Sequence, residues 1–148
     1  MKSLVSIFLA LIILLTPFNT KLDFVNTGTY YFYTTENFQN VMVTNIKSGQ
    51  GYIISCDSDK IKEVYPLLDK KQIAGISGCF DNFDMDSFTK KYQLQIKFYE
   101  QIGDITFIYG YTKQLEKYVV VDNERINIQI AKNQYCTKIG YPLILDSA

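Results

Sequence analysis

Arg-Ile-Asn-Ile-Gln-Ile-Ala-Lys, residues 125–132, is the stretch of this sequence that decides its fold. Apolar and polar side chains alternate strictly along it: Ile126, Ile128 and Ile130 against Asn127 and Gln129. Successive side chains of a β-strand point to opposite faces of the sheet. The alternation therefore predicts a single antiparallel strand with one buried face and one face in water.

The segments upstream extend this strand into a sheet. Residues 118–121 precede it across a short polar turn, and residues 95–101 and 105–111 flank the turn residues Gly103 and Asp104. Apolar runs separated by such residues are typical of antiparallel hairpins. The sequence thus predicts two hairpins in its C-terminal half.

Further strands are predicted at residues 41–47, 52–56, 73–80 and 136–144. In the last of them Gly140 and Pro142 indicate a bulge or an edge position, because proline cannot donate a ladder hydrogen bond. Residues 23–40 are aromatic and polar and carry no clear pattern.

Two helices interrupt the strands. The apolar positions of the first recur at helical spacing: Ile61, Val64, Tyr65 and Leu68. Asp57 or Ser58 can cap this helix, and Pro66 must kink or split it. Asp84 can cap a second helix with one apolar face, formed by Met85, Phe88 and Tyr92. The predicted fold class is α+β, a mostly antiparallel sheet with two helices packed on one face.

The N-terminus resembles an export signal. Lys2 precedes an apolar run from Leu4 to Leu15 that is too short to span a bilayer as a helix. We expect residues 1–20 to be a signal peptide, or a short anchor if uncleaved, and residues 21–148 to form one domain. The expected location is extracellular or at the outer face of the cytoplasmic membrane.

Charge and cysteine content limit the possible functions. The 15 basic and 15 acidic residues balance, which argues against a nucleic-acid partner. There is no histidine, and Cys56, Cys79 and Cys136 have no zinc-ligand spacing. Cys56 and Cys79 are expected to be small buried hydrophobes, with a bridge between them as the alternative. We expect no cofactor and no metal.

A family resemblance emerges in the C-terminal half. Residues 127–131 (NIQIA) and 139–144 (IGYPLI), preceded by the aromatic strand 105–111, resemble the closing segment of the YwmB family. The resemblance covers about residues 52–147. It implies an exported α+β domain of endospore-forming Firmicutes, grouped with the TATA-box-binding-like folds and without an established function. The fold-group name does not imply DNA binding.

Two short motifs are better explained by structure than by chemistry. Ser87 and Lys90 fit the S-x-x-K spacing of serine acylating enzymes, but the partner motifs of that class do not follow. Asp81, Asp84 and Asp86 lack the spacing and the turn glycine of a calcium loop. We expect a solvated helix face for the first motif and helix capping for the second. No catalytic residue is predicted.

Aromatic content is the remaining functional signal, with 12 Tyr and 10 Phe in 148 residues. Exposed tyrosines suit protein, peptide and carbohydrate surfaces. The candidate aromatic binding surface is Tyr109, Tyr111, Tyr118 and Tyr135, with Tyr30, Tyr31 and Tyr33 as further candidates. The structural alternative is that most of them pack within the sheet.

The sequence therefore predicts a non-enzymatic exported binding or interaction module of the cell envelope. Its expected partner is an envelope protein, a peptide or a glycan, with membrane contact only through an uncleaved leader. The alternative is a small envelope hydrolase that uses paired carboxylates on a glycan.

Overall fold

The computed structural model describes residues 28–144. The predicted leader, residues 1–20, lies outside this described part. The strands are β1 (Thr29–Thr34), β2 (Thr44–Ser48), β3 (Gly51–Asp57), β4 (Ile73–Phe80), β5 (Gln95–Ile102), β6 (Ile105–Tyr111), β7 (Val119–Val121), β8 (Glu124–Ile126), β9 (Ile128–Lys132) and β10 (Thr137–Tyr141). Helix α1 (Ile61–Val64) lies between two 3-10 turns, Ser58–Lys60 and Tyr65–Leu67, and α2 is Met85–Tyr92.

Eight strands form one sheet in the order β2-β3-β1-β4-β10-β9-β6-β5, and every neighbouring pair is antiparallel. Strands β7 and β8 form a separate hairpin. The fold class is α+β, as predicted. Strand β1, from the segment without a clear pattern, is an interior strand because Tyr30 and Phe32 bury the face that it turns to the core.

The main core lies between one face of the sheet and the two helices. It contains apolar side chains from both layers: Ile54, Ile76, Ile108, Ile130 and Ile139 from strands, and Val64, Phe88 and Tyr92 from helices. Full burial of a side chain of this size contributes about 1.5–3 kcal/mol. We call this side of the sheet the helix face and the other side the second face.

The structure confirms the predicted cap of α2 and, for α1, the predicted break at Pro66. The Asp84 carboxylate accepts the N–H groups of Asp86 and Ser87, both at 3.1 Å, so the predicted cap is confirmed. The hydroxyl of Ser87, which donates to the same carboxylate, lowers the pKa of Asp84 most, and the backbone hydrogen bonds lower it further. Pro66 splits the first helical segment as predicted, but the Asp57 side chain makes no cap hydrogen bond.

The predicted single strand at residues 125–132 is wrong. It divides at Asn127, where the chain leaves the β7–β8 hairpin and enters the sheet. The Asn127 amide oxygen accepts the N–H of Thr112 at 2.9 Å, and its amide nitrogen donates to the carbonyls of Thr112 and Leu115. A buried side chain that satisfies three backbone groups of another loop cannot also face water.

The predicted wet face of this segment is also wrong. Asn127 is 0% exposed and Gln129 is 7% exposed. The second face is covered in this region by the hairpin and by residues 142–144, which we call the C-terminal segment. A second, smaller core forms there around Val119, Ile126 and Leu143.

The last strand is interior, which corrects the prediction of an edge or a bulge at Gly140. Strand β10 pairs with β4 on one side and with β9 on the other. A Cβ at Gly140 would lie 2.4 Å from the backbone nitrogen of Ile144. The glycine therefore admits the C-terminal segment, and Pro142 follows the end of the strand.

The cysteines confirm the prediction of a small buried hydrophobe for Cys56 and contradict it for Cys79. Cys79 forms a disulfide with Cys136, so it is not a free buried hydrophobe and does not bridge to Cys56. Tyr30 pairs with both Cys56 and Gly78, so these residues share the helix face and the next residue, Cys79, points to the second face. Cys56 is buried as expected, and burial raises the pKa of its thiol to about 11.

Two predicted boundaries also shift. Strand β2 begins at Thr44 and not at residue 41, because Met42 and Val43 pack against the main core from a loop. Strand β7 begins at Val119 and leaves Tyr118 in the preceding loop. In residues 28–144 no helix is long and apolar enough to cross a membrane.

Candidate functional site

The candidate tyrosines of β6 lie on the second face of the sheet. Ile108 and Gly110 pair with Ile130 and Ile128 on the helix face. Tyr109 and Tyr111 alternate with them, so their side chains point to the side covered by the β7–β8 hairpin. The strand period thus places both residues beside that hairpin.

Tyr109 is a packing residue beneath the hairpin. Its ring stacks on Phe98 with centroids 4.4 Å apart, and its hydroxyl donates to Glu100 Oε2 at 2.9 Å. Burial, together with the neighbouring Glu100 carboxylate, raises the pKa of Tyr109 to about 12. It supports the surface above it and offers little of its own ring to a partner.

Tyr111 and Tyr118 come together at the edge of the hairpin. Their ring centroids are 6.4 Å apart and their planes meet at 80°, an edge-to-face contact. The guanidinium carbon of Arg125 lies 4.8 Å from the centroid of the Tyr118 ring, within range of a cation–π interaction. The three side chains form one continuous row.

The hairpin has an inner and an outer side. Val119 and Ile126 pair across it and are buried in the smaller core. The next pair, Val120 and Arg125, therefore points outward, and Val120 is 54% exposed. We define the hairpin surface as Tyr111, Tyr118, Val120 and Arg125.

The loop that carries Tyr118 is fixed from below. Asn127 holds the start of this loop, and the Tyr141 hydroxyl accepts the backbone N–H of Lys117 at 3.3 Å. Lys117 is itself buried, and this burial lowers the pKa of its side chain to about 8. The backbone that carries Tyr118 is therefore fixed by hydrogen bonds, while its side chain remains 38% exposed.

The acidic neighbour of Arg125 is engaged elsewhere. Glu124 Oε2 lies 3.2 Å from the ammonium of Lys97 on strand β5. Among residues 28–144 no carboxylate lies within salt-bridge distance of Arg125. In the described part of the chain the guanidinium on the hairpin surface therefore makes no ion pair.

The remaining tyrosines lie elsewhere. Tyr135 is 81% exposed, in the loop between β9 and β10. Because Thr106 pairs with Lys132 at the other end of β6, this loop and Tyr111 occupy opposite ends of the sheet. The other candidates pack: Tyr30 in the main core, Tyr31 under the Lys138 ammonium, and Tyr33 through a hydrogen bond with Ser77.

Sequence reasoning missed Arg125 and Val120 as surface residues. The signal that could have found them is the hairpin itself, because the two residues are cross-strand partners on the side opposite to buried Val119 and Ile126. The unbroken alternation of residues 125–132 hides this signal, because it predicts one strand where the structure has the end of β8 and all of β9.

The S-x-x-K motif and the acidic cluster have no chemical role in the structure: Ser87 and Asp84 cap a helix, and the other two aspartates are exposed. Ser87 Oγ donates to Asp84 Oδ2 at 2.6 Å, so it completes the cap of α2. Asp81 and Asp86 are exposed. Within the described ranges, no group of three or more cysteine or acidic side chains is placed to hold a metal ion.

Comparison with known proteins gives no relative. No family model, no curated protein and no solved structure is detectably similar to the chain.

Proposed function

We propose that this chain is an exported, non-enzymatic binding module that contacts its partner through the hairpin surface. The observation that carries the proposal is the row Tyr111–Tyr118–Arg125, in which Tyr118 and Arg125 are exposed and half-buried Tyr111 packs against Tyr118 from strand β6. The row borders a hairpin whose inner side chains are buried. Tyrosine and arginine are the residues that protein-binding surfaces favour, since they combine large contact area with directed polar groups. The resemblance to the YwmB family remains a prediction within this proposal.

Export is supported by two independent features. The sequence begins with a basic residue and a short apolar run. The Cys79–Cys136 disulfide suits an oxidising compartment, since cytosolic thiols are kept reduced.

A non-enzymatic role is supported by what the carboxylates do. Glu100 accepts the Tyr109 hydroxyl, Glu124 pairs with Lys97, and Asp84 caps α2. Each of these acids supports local structure. Among residues 28–144, none of these three acids is placed as one of the paired carboxylates that a glycan hydrolase would need.

The proposal is tested by site-specific crosslinking in the full-length protein. A photoreactive phenylalanine analogue would replace Val120 on the hairpin surface, and in a matched variant it would replace Tyr135. After irradiation of intact native cells, a discrete crosslinked species is expected from position 120 and not from position 135. Absence of a species at 120, or equal species at both positions, would contradict the proposal.

A further inference from the structure

We propose that Arg125 is a carboxylate-binding group and that the partner is a peptide segment with an acidic side chain next to an apolar one. This inference rests on the proposed function and names the chemistry that the hairpin surface recognises.

The Arg125 guanidinium has an aromatic contact that favours one position over the hairpin edge. Tyr111 packs against Tyr118, and Tyr118 in turn lies under the guanidinium at 4.8 Å. Arg125 is exposed, and a guanidinium carries five N–H donors in one plane, so contact with a single ring leaves donors available to a ligand. A planar carboxylate can then accept two parallel hydrogen bonds, the strongest arrangement for this pair.

The charge balance favours an anion. Arg125 is the chain's one arginine, and the carboxylate beside it in sequence, Glu124, is taken by Lys97 at 3.2 Å. No other described carboxylate lies within salt-bridge distance of the guanidinium. A ligand carboxylate would therefore meet an available positive charge and would not have to displace an internal partner.

The neighbour of Arg125 favours a peptide over a sugar. Val120 is its direct cross-strand partner and is 54% exposed, so an apolar contact lies beside the cationic one. Peptides supply carboxylates and alkyl side chains on adjacent residues. Sugars stack on the faces of aromatic rings, and one face of the Tyr118 ring is already covered by Arg125.

The test is a peptide titration of the isotope-labelled protein, followed by nuclear magnetic resonance. The protein is used with or without its leader, as it occurs in the native cells. The probe is a blocked tripeptide with glutamate between two leucines, and its matched control has glutamine in place of glutamate. We expect the glutamate peptide to shift the Arg125 Nε–H signal saturably. The glutamine peptide should bind roughly tenfold or more weakly, as expected for loss of a charge-assisted pair.

Two variants separate geometry from charge. Arg125→Lys keeps the charge but loses the planar fork, so it should lose most of the binding. Lys113→Gln removes an exposed positive charge of the same loop region and should bind like wild type. Equal binding of the two peptides, full binding by Arg125→Lys, or no saturable shift at millimolar peptide would overturn the inference.

In a last experiment, inorganic phosphate is added as a competitor of the glutamate peptide. Phosphate that competes as well as the glutamate peptide would show a general anion site and would overturn the peptide assignment. Crosslinking at Val120 that succeeds while the peptide titration fails would leave the hairpin surface as the contact site and reject only the carboxylate chemistry.

Discussion

The side-chain oxygen of Gln129 accepts the backbone N–H of Ile144 at 2.8 Å. This hydrogen bond fixes the C-terminal segment across the second face of the sheet, above Gly140. The hairpin surface depends on this arrangement, because Leu143 packs with Val119 and Ile126 in the core beneath the hairpin.

Gln129→Lys should therefore destabilise the protein by about 1–3 kcal/mol, because it removes a buried acceptor and leaves the Ile144 N–H without one. The measurement is the free energy of unfolding in urea. Gln134→Lys, at an exposed position in the same half of the chain, is the control and should stay within about 0.5 kcal/mol of wild type. Equal effects of the two lysines would show that the second face is open to water at Gln129.

Ile128→Asp should prevent stable folding. Ile128 is fully buried in the main core, and an unpaired carboxylate there costs several kcal/mol, a large part of the stability of a domain. Val120→Asp places the same group on the exposed side of the hairpin and should fold normally. Circular dichroism during thermal unfolding distinguishes the two variants, and a cooperative transition near the wild-type midpoint for Ile128→Asp would refute the position of β9.

Replacing both Cys79 and Cys136 by serine should lower stability by about 2–4 kcal/mol, because the disulfide closes a loop of 57 residues in the unfolded chain. The unfolding free energy is measured with and without reductant. Wild type in reductant should fall toward the value of the double variant, and the variant itself should not respond. A wild type that is insensitive to reductant under unfolding conditions would argue against the bridge.

Stability should rise between about pH 8 and pH 9. Burial lowers the pKa of Lys117 from 10.5 to about 8, so in this window the unfolded state binds more protons than the folded state. Above about pH 9 the rise levels off, because Cys56, whose pKa burial raises to about 11, retains its proton only in the folded state and offsets the effect of Lys117. Above about pH 10 the trend reverses, because burial also raises the pKa values of Tyr109 and Tyr141 to about 12, so they too retain their protons only in the folded state.

The Lys117→Met variant tests this assignment. It removes the titrating amine and keeps the buried alkyl chain, so the rise in unfolding free energy between pH 8 and pH 9 should disappear. Lys132→Met, at an exposed position, should keep the rise. The same slope in wild type and Lys117→Met would exclude Lys117 as its source.

Residues 1–25 should direct export. Fused to a reporter that is active only outside the cytoplasm, they should give activity, and replacing Leu11 and Ile13 by Asp should abolish it because the apolar run is interrupted. Full activity in that double variant would remove the basis for the export proposal.

Local signals in the sequence predicted the local structure well. The apolar run 73–80 is strand β4, and Asp84 caps α2, because a strand segment and a cap depend on a few neighbouring residues. Burial on the second face could not be predicted in this way. Asn127 and Gln129 are buried because a loop 12 to 15 residues away and the C-terminal segment cover them.

The candidate site shows the same contrast between local features, which the sequence predicts, and long-range contacts, which it does not. The tyrosine content indicated a surface, but only the pairing of β7 with β8 shows that Tyr118 meets Arg125 while Tyr109 packs below and Tyr135 lies at the other end of the sheet. The disulfide also depends on strand order, since Cys79 and Cys136 become neighbours only when β4 and β10 pair.

The most direct measurement of the central claim is the yield of the crosslink from position 120 in three otherwise identical full-length proteins. We predict a strong crosslink in the wild-type background, a large loss with Tyr118→Ala, and full yield with Tyr135→Ala, with all three proteins unfolding at similar temperatures. Undiminished crosslinking in the Tyr118→Ala background would contradict the account, because the partner would then be bound without the aromatic row that defines the hairpin surface.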